Sequence, residues 1–173
     1  AKLAKENGVE RFVYASSQSM YGISDSDSEL DEDKSRKNPI TSYAKTKWEA
    51  EQIITDLNSS DYTTVSFRPS TVFGVSSRIR CDVVFNNLVA SAYCTGKIEI
   101  LSDGTPWRPV VHVQDVSSAF IAGIEAPKNL IEGQAFNVGI KNGNFTVKDL
   151  ALAAQNSVKG SELIFMNKHT DPR

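Results

Sequence analysis

The stretch Arg11-Phe-Val-Tyr-Ala-Ser-Ser-Gln-Ser19 combines an apolar run with a cluster of hydroxyl side chains. Its first five residues are short, apolar and rich in β-formers, which predicts a buried strand. Ser16, Ser17 and Ser19 follow directly after that strand. Ligand sites of open α/β sheets lie outside the carboxyl ends of the strands. We therefore expect these hydroxyls to lie at the edge of the sheet where a ligand would bind.

Tyr43 and Lys47 lie four residues apart in Ser42-Tyr-Ala-Lys-Thr-Lys-Trp-Glu-Ala-Glu51. On a helix this spacing places both side chains on one face, with β-carbons about 5–6 Å apart. A fixed positive charge beside a phenol favours the ionised form of that phenol. Taken alone, the pair also fits an exposed aromatic beside a solvated lysine. The hydroxyl cluster earlier in the chain favours a chemical role, because the two features could meet at one site.

Strands and helices alternate along the whole chain, which indicates an α/β fold with parallel pairing. The helix that carries Tyr43 is expected to bury a stripe of apolar residues; its members are Ala44, Trp48, Ile53, Ile54 and Leu57. The full set of predicted elements is a helix ending at Gly8, the strand at 11–15, a helix from Thr41 or Ser42 to about Leu57, a strand at 63–68, a helix at 82–95, strands at 97–101 and 110–113, a helix at 115–125, a strand at 135–138, and a helix capped by Thr146 that runs to about Val158.

Several motifs occur in an order typical of one family. They are Val13-Tyr-Ala-Ser-Ser-Gln-Ser-Met-Tyr-Gly22, Tyr43-Ala-Lys-Thr-Lys47, Arg68-Pro-Ser-Thr-Val-Phe-Gly74, Asn86-Asn-Leu88, Ser102-Asp-Gly-Thr-Pro-Trp-Arg-Pro-Val-Val-His-Val-Gln-Asp115 and Phe136-Asn-Val-Gly139. Together they resemble the extended short-chain dehydrogenase/reductase family, in its NAD-dependent nucleotide-sugar epimerase and dehydratase branch (UDP-glucose 4-epimerase-like). The resemblance covers essentially the whole chain.

This resemblance implies a fold and a domain arrangement. The expected fold is the C-terminal part of a Rossmann-like doubly wound parallel sheet plus a small α/β substrate-binding region. Residues 1–75 would form the C-terminal half of the NAD(P)-binding domain, and residues 76–173 mainly the substrate-binding region. Within the second range, 110–126 and 135–139 would pack back toward the Rossmann sheet.

The resemblance also implies site residues. Tyr43 matches the general base that takes a proton from a sugar hydroxyl while nicotinamide takes a hydride. Lys47 matches the lysine that holds the nicotinamide ribose, and Ser17 the residue that hydrogen-bonds the reacting oxygen. Cofactor contacts are expected from Ser16, Tyr43, Lys47 and Pro69. Substrate contacts are expected from Ser19, Thr71, Asn87 and Arg108. Many relatives have asparagine in place of Thr71.

The two residues after Ser17 narrow the choice of reaction. The 4,6-dehydratases of this family place Asp-Glu there to eliminate water, whereas this chain has Gln18 and Ser19. Epimerisation of a nucleotide sugar with NAD is therefore the first hypothesis. The alternatives are an NADP-dependent reductase of a carbonyl substrate and a binding protein that kept the fold without catalysis.

Composition excludes other classes of partner. A formal net charge of −2 and a pI near 5.7 offer no basic surface for nucleic acid. No apolar run approaches the length of a membrane span, so we expect a cytoplasmic protein. We also expect the full-length protein to be a homodimer. Cys81 and Cys94 predict no disulfide framework and are expected to be reduced side chains of one helix.

No metal site is expected either. His112 lies inside an apolar strand and is expected to pack there, while His169 is uninformative. The acidic run Asp25–Asp33 lacks the glycine and the final glutamate of a calcium loop, so it predicts a solvated loop.

A glycine-rich turn that would hold a cofactor pyrophosphate does not occur in the sequence. We therefore expect the chain to be part of a longer protein and, when isolated, to be inactive. Calorimetry should detect no NAD binding to the 173-residue chain, and a micromolar dissociation constant would contradict this expectation.

Overall fold

The computed structural model describes residues 1–23 and 29–166. Part of the acidic run at 25–33 and all of the segment around His169 lie outside the described residues. The strands are β1 (Arg11–Ala15), β2 (Thr63–Pro69), β3 (Thr71–Phe73), β4 (Lys97–Ile100), β5 (Trp107–His112), β6 (Gln134–Val138), β7 (Asn144–Thr146) and β8 (Glu162–Phe165). The helices are α1 (Lys2–Glu6), α2 (Ser42–Asp56), α3 (Val84–Thr95), α4 (Val113–Glu125), α5 (Lys128–Ile131) and α6 (Val147–Ser157), with a 3-10 turn at Gln18–Tyr21.

The chain divides into two compact units. Unit 1 consists of residues 1–70 and 115–138, and unit 2 of residues 71–114 and 139–173. Both units combine strands with helices, and the predicted α/β class is confirmed. The domain boundaries expected from the resemblance stay a prediction.

The sheet of unit 1 is fully parallel, in the order β1-β2-β6. The central strand β2 is buried over its first six residues. By contrast, the side chains of β1 are half-buried or exposed. The prediction of a buried β1 was therefore wrong, because among the described strands β1 pairs on one side only.

Helix α2 begins and ends as predicted, with Thr41 as its N-cap accepting a hydrogen bond from the Ala44 amide at 3.1 Å. Ala44 and Ile54 are buried as predicted, but the rest of the buried face differs from the prediction. Ile53 is 53 % exposed, whereas Glu51 is 2 % exposed. Glu51 is buried because a cation on β2 pairs with it, as described below.

Aromatic rings fill the interior of unit 1 around Phe67. The Phe67 ring lies 5.2 Å from that of Phe120 on α4 and 6.0 Å from that of Phe136 on β6, between centroids. Gly123 lets α4 approach closely, since a Cβ there would lie 2.4 Å from the Phe67 ring. A larger residue at position 123 would have to displace this ring.

The described part of unit 2 has two small sheets. β3 and β5 pair in parallel, β5 and β7 pair antiparallel, and β4 and β8 pair in parallel. Helix α6 is capped as predicted by Thr146, which forms a capping box with Asp149. The core of this unit is Leu88, Ala92, Ile98, Ile100, Val110, Leu150, Ala151 and Ala154.

Other differences from the predictions concern short elements and boundaries. The sequence did not predict β3, β7, β8, α5 or the 3-10 turn, and helix α4 starts at Val113 rather than Asp115. Cys94 lies in α3 as expected, but Cys81 precedes the helix. The prediction that both cysteines lie in one helix was therefore wrong. Both side chains are free and exposed.

We expect Gly123→Ala to lower the free energy of unfolding of the intact protein by about 1–2 kcal/mol in urea denaturation. The new methyl group would clash with the Phe67 ring, and this cost outweighs the gain of up to about 1 kcal/mol that alanine brings to a helix. Phe67→Leu provides the control, because it removes the clashing atoms. The effects of the two changes should then be less than additive. Unchanged stability of Gly123→Ala would contradict the packing described for α4.

Candidate functional site

The hydroxyl cluster follows β1 as the sequence predicted. The Ser16 amide donates to the Phe67 carbonyl oxygen at 2.7 Å, which continues the pairing of β1 with β2. Ser17 is the N-cap of the 3-10 turn, and its Oγ accepts from the Ser19 amide at 3.2 Å. The hydroxyls of Ser16 and Ser19 are buried without a hydrogen-bond partner among the described residues. The hydrogen-bonding capacity of both hydroxyls is therefore not used within the described residues.

Tyr43 and Lys47 lie in the first turns of α2, and the ammonium of Lys47 has a defined position. Its Nζ donates to the Ala15 carbonyl oxygen at 2.7 Å, at the last residue of β1. The same Nζ lies 5.9 Å from the centroid of the Tyr43 ring and 5.1 Å from that of Tyr14. Tyr43 itself is 57 % exposed. The cation is thus held at the strand end while the phenol beside it remains accessible.

Tyr14 is a second phenol near Lys47. Burial raises the pKa of Tyr14, and the negative charge of Glu51 and the neighbouring Tyr43 raise it further. Tyr14 therefore stays protonated at neutral pH. Its ring supports the Lys47 ammonium rather than exchanging protons.

Arg68, near the end of β2, lies at the centre of a buried polar network. Its Nη2 donates to Oε1 of Glu51 at 2.6 Å, and its Nε lies 3.1 and 3.2 Å from the two carboxylate oxygens. Its Nη1 donates to the Tyr21 hydroxyl at 2.8 Å and to the Glu32 carbonyl oxygen at 3.0 Å. The Tyr21 hydroxyl in turn donates to Oδ1 of Asn137 on β6 at 2.9 Å. This network, which we call the Arg68 network, connects five segments of unit 1.

The ionisation states of this network follow from its environment. Burial lowers the pKa of Arg68, but the hydrogen bond and the negative charge of Glu51 more than offset it, so the pKa is raised overall. Burial raises the pKa of Tyr21, and the Arg68 charge compensates only in part. Arg68 is therefore a permanent cation, and Tyr21 remains a neutral hydrogen-bond donor.

Pro69 ends β2, opposite Val138 on β6. The next residue, Ser70, donates its amide to the Val138 carbonyl oxygen at 3.0 Å. The Ser70 hydroxyl is buried and has no partner in the part of the chain that the structure describes. Ser70 thus adds a free hydroxyl at the carboxyl end of a strand adjacent to β1, which the sequence did not single out.

The predicted substrate residues Thr71, Asn87 and Arg108 lie in unit 2. Thr71 starts β3, and Asn87, on α3, donates its Nδ2 to the Cys81 carbonyl oxygen at 3.0 Å. Arg108, on β5, is half-buried and donates from Nη1 to the Trp107 carbonyl oxygen at 2.7 Å. His112 packs edge-on against Phe73 at 5.3 Å between ring centroids, as expected of a packing histidine.

Unit 2 also has a pocket of about 360 Å³ beside α3 and β4. One of the predicted substrate residues lines it; the lining residues are Asn87, Ser91, Thr95, Lys97, Glu99 and Leu101. Among residues 1–23 and 29–166, no group of His, Cys, Asp and Glu could hold a metal ion. The same residues include no helix that is long and apolar enough to cross a membrane.

The structure therefore places Ser16, Ser17, Ser19, Tyr43, Lys47 and Pro69 in unit 1. The family model for NAD dependent epimerases and dehydratases matches residues 1–139, about four fifths of the chain. The chain belongs to the NAD dependent epimerase/dehydratase family. The resemblance identified from its motifs is confirmed.

Two curated relatives have the same name. UDP-glucose 4-epimerase of Bacillus subtilis (strain 168) is 31% identical over an alignment of 175 residues, which covers 90% of this chain and 50% of that protein. UDP-glucose 4-epimerase of Drosophila melanogaster is 30% identical over an alignment of 167 residues, which covers 86% of this chain and 47% of that protein. The chain thus spans about half the length of the curated relatives it matches.

Solved structures show the same fold. The dTDP-glucose 4,6-dehydratase of Bacillus anthracis str. Ames, in complex with NAD, has a TM-score of 0.82 at 19% identity. The match covers 99% of this chain and 54% of that structure. At this identity the likeness supports the Rossmann-type epimerase/dehydratase fold and nothing finer.

Sequence reasoning missed the Arg68 network. Glu51 follows Lys47 by four residues, and this spacing indicates that the two lie on one helix face. Nothing local pairs it with Arg68, because the two residues are 17 positions apart in the chain. A glutamate on a helix is usually exposed, so its burial could not be predicted.

We expect Glu51→Ala to lower the free energy of unfolding of the intact protein by about 3–5 kcal/mol, because the Arg68 cation would remain buried without its counter-ion. Chemical denaturation monitored by circular dichroism measures the loss.

The matched control is Arg80→Ala, which breaks an ion pair with Asp82 of the same 2.6 Å length, whose side chains are 70 % and 66 % exposed. Water screens that pair, so stability should change little. Equal effects of the two substitutions would contradict the role of burial.

Proposed function

We propose that the intact protein is an NAD-dependent epimerase of a nucleotide sugar. The observation that carries the proposal is the position of Lys47. Its ammonium is fixed to the end of β1 by the Ala15 carbonyl oxygen at 2.7 Å and lies 5.9 Å from the Tyr43 ring. A phenol that can act as a base, a cation beside it and hydroxyl groups at the strand end are the parts that oxidation of an alcohol needs.

Tyr43 is assigned as the general base that takes the proton from a sugar hydroxyl. Its exposure suits this role, because a substrate oxygen can approach the phenol. Lys47 places a positive charge beside this phenol. Ser17 would donate a hydrogen bond from its hydroxyl to the reacting oxygen, since its Oγ already accepts from the Ser19 amide.

The strand ends fit a bound NAD. The Ser16 and Ser70 hydroxyls are buried without partners among the described residues, and each follows a parallel strand of the same sheet. Ser16, Lys47 and Pro69 are assigned to hold the nicotinamide half of the cofactor. NAD, when bound, would accept the hydride from the sugar carbon and return it, so no net oxidation occurs.

Substrate contacts are assigned to Ser19 in unit 1 and to Thr71, Asn87 and Arg108 in unit 2. Arg108 has the most specific chemistry, because a guanidinium group can bind the oxygens of a diphosphate in a bidentate manner. The name of the Bacillus subtilis relative, UDP-glucose 4-epimerase, supports UDP-glucose as the first substrate to test. Homodimerisation of the intact protein stays part of this proposal.

Epimerisation is preferred over elimination because Gln18 and Ser19 provide no carboxylates next to Ser17. A neutral amide and a hydroxyl cannot act as the acid and base that the loss of water from the sugar ring requires. Turnover without net consumption of cofactor would support the epimerase. Stoichiometric oxidation of NADPH would instead indicate a reductase, and cofactor binding without turnover of any nucleotide sugar a binding protein.

We expect Tyr43→Phe in the intact protein to lower kcat by at least about a hundredfold, because the phenolic oxygen is the proton acceptor. Its affinity for NAD should stay within about threefold, since the ring is kept and a threefold change is below 1 kcal/mol. Lys47→Met should weaken NAD binding as well as turnover. Kinetics with UDP-glucose and fluorescence titration of NAD measure the two quantities.

Tyr93→Phe is the control for this comparison. Tyr93 lies on α3 and is 82 % exposed, so loss of its hydroxyl should leave both turnover and NAD affinity unchanged. Full activity of Tyr43→Phe would disprove the assignment of the base.

We expect Arg108→Ala to raise KM for UDP-glucose by about tenfold to a hundredfold, equivalent to about 1.4–2.7 kcal/mol of lost binding, while NAD affinity stays unchanged. Arg80→Ala serves as the control, because Arg80 pairs with Asp82 on an exposed surface. If KM is the same for Arg108→Ala and the unsubstituted protein, Arg108 does not bind the diphosphate.

A further inference from the structure

Two separate elements carry the proposed proton-transfer groups. Ser17 caps the 3-10 turn Gln18–Tyr21, whereas Tyr43 and Lys47 lie on α2. Proton transfer through both groups requires them to be held to within about 0.5 Å of their working positions. A contact must therefore fix the position of the 3-10 turn relative to helix α2.

The carboxylate of Glu51 fixes the rotation of α2. Tyr43, Lys47 and Glu51 are spaced by four residues each, which places them along one side of the helix. Both carboxylate oxygens contact the Arg68 guanidinium, at 2.6 to 3.2 Å. Turning α2 about its axis would break these bonds, so the direction of Tyr43 depends on them.

The hydroxyl of Tyr21 fixes the 3-10 turn to the same guanidinium. Tyr21 is the last residue of that turn and is 4 % exposed. Its hydroxyl accepts from Nη1 of Arg68 at 2.8 Å and donates to Asn137 at 2.9 Å. The guanidinium carbon also lies 5.7 Å from the centroids of the Tyr21 ring and the Trp48 ring of α2.

We propose that Arg68 is the positioning residue that sets the relative geometry of Ser17 and Tyr43. One side of its guanidinium holds the helix through Glu51, and Nη1 holds the turn through Tyr21. Because the guanidinium is planar and rigid, its bonds to Glu51 and Tyr21 fix the position of the 3-10 turn relative to α2. Arg68 itself touches neither substrate nor cofactor in this proposal, which rests on the proposed function for its effect on the reaction.

Arg68 with Glu51 also stabilises the fold, so replacing either residue would confuse positioning with unfolding. Tyr21→Phe avoids this problem, because it removes only the hydroxyl that connects the turn to Arg68. Tyr62→Phe is the matched control. Tyr62 is 1 % exposed, and its hydroxyl donates to the Ala1 carbonyl oxygen at 2.9 Å, away from the Arg68 network.

The first measurement is steady-state kinetics of the intact protein with saturating NAD and UDP-glucose. Tyr21→Phe should lower kcat by about tenfold, as small misplacement of reacting groups does, while KM and NAD affinity change less than about twofold. Tyr62→Phe should change neither constant. Equal kcat values for the two variants, with the unsubstituted protein active, would overturn the positioning role.

The second measurement does not depend on turnover. Hydrogen exchange followed by mass spectrometry should show faster exchange of the amides of residues 18–22 and 42–48 in Tyr21→Phe than in Tyr62→Phe. Unchanged exchange in both segments would overturn the proposal. If the unsubstituted protein turns over no nucleotide sugar, the proposed function fails, while the exchange comparison still decides whether Arg68 holds the two elements together.

Discussion

The buried guanidinium of Arg68 is the contact on which the organisation of unit 1 depends. A cation taken out of water is costly unless every donor finds an acceptor. Here Glu51 neutralises the charge, and Tyr21 and the Glu32 carbonyl oxygen accept the remaining hydrogen bonds. Because these acceptors come from α2, the 3-10 turn and the segment after it, the requirement to satisfy one side chain determines where three elements lie on the sheet.

Local patterns predicted most of the fold. The strands β1, β2 and β6 and the caps of α2 and α6 depend on short-range preferences, and a reader of the sequence can identify them. The depth of burial could not be predicted in the same way. Ile53 looks like a core residue and is exposed, while Glu51 looks like a surface residue and is buried. Which side of a helix is covered depends on its neighbours in space.

The same holds for the candidate site: its residues could be predicted from local motifs, whereas the contacts that position them could not. Ser17, Tyr43 and Lys47 belong to short motifs, so a resemblance to a family was enough to single them out. The bond that fixes Lys47 joins it to Ala15, 32 positions away, and Arg68 contacts Tyr21 over 47 positions. Short strands such as β3 and β7, with three residues each, were missed because such segments have almost no periodicity of their own.

Ser17 illustrates how a structural role and the proposed chemical role can coincide. A serine that caps a helical turn uses a lone pair of its oxygen, whereas a serine that assists proton transfer uses its O–H. In this structure the Ser17 oxygen accepts from the Ser19 amide, so its hydroxyl proton is left to point elsewhere. The cap therefore orients the hydroxyl and leaves its O–H group as a hydrogen-bond donor. A side chain held in this way has less freedom to lose when a substrate oxygen arrives, and the 3-10 turn that supplies the capped amide is the element that Tyr21 ties to Arg68.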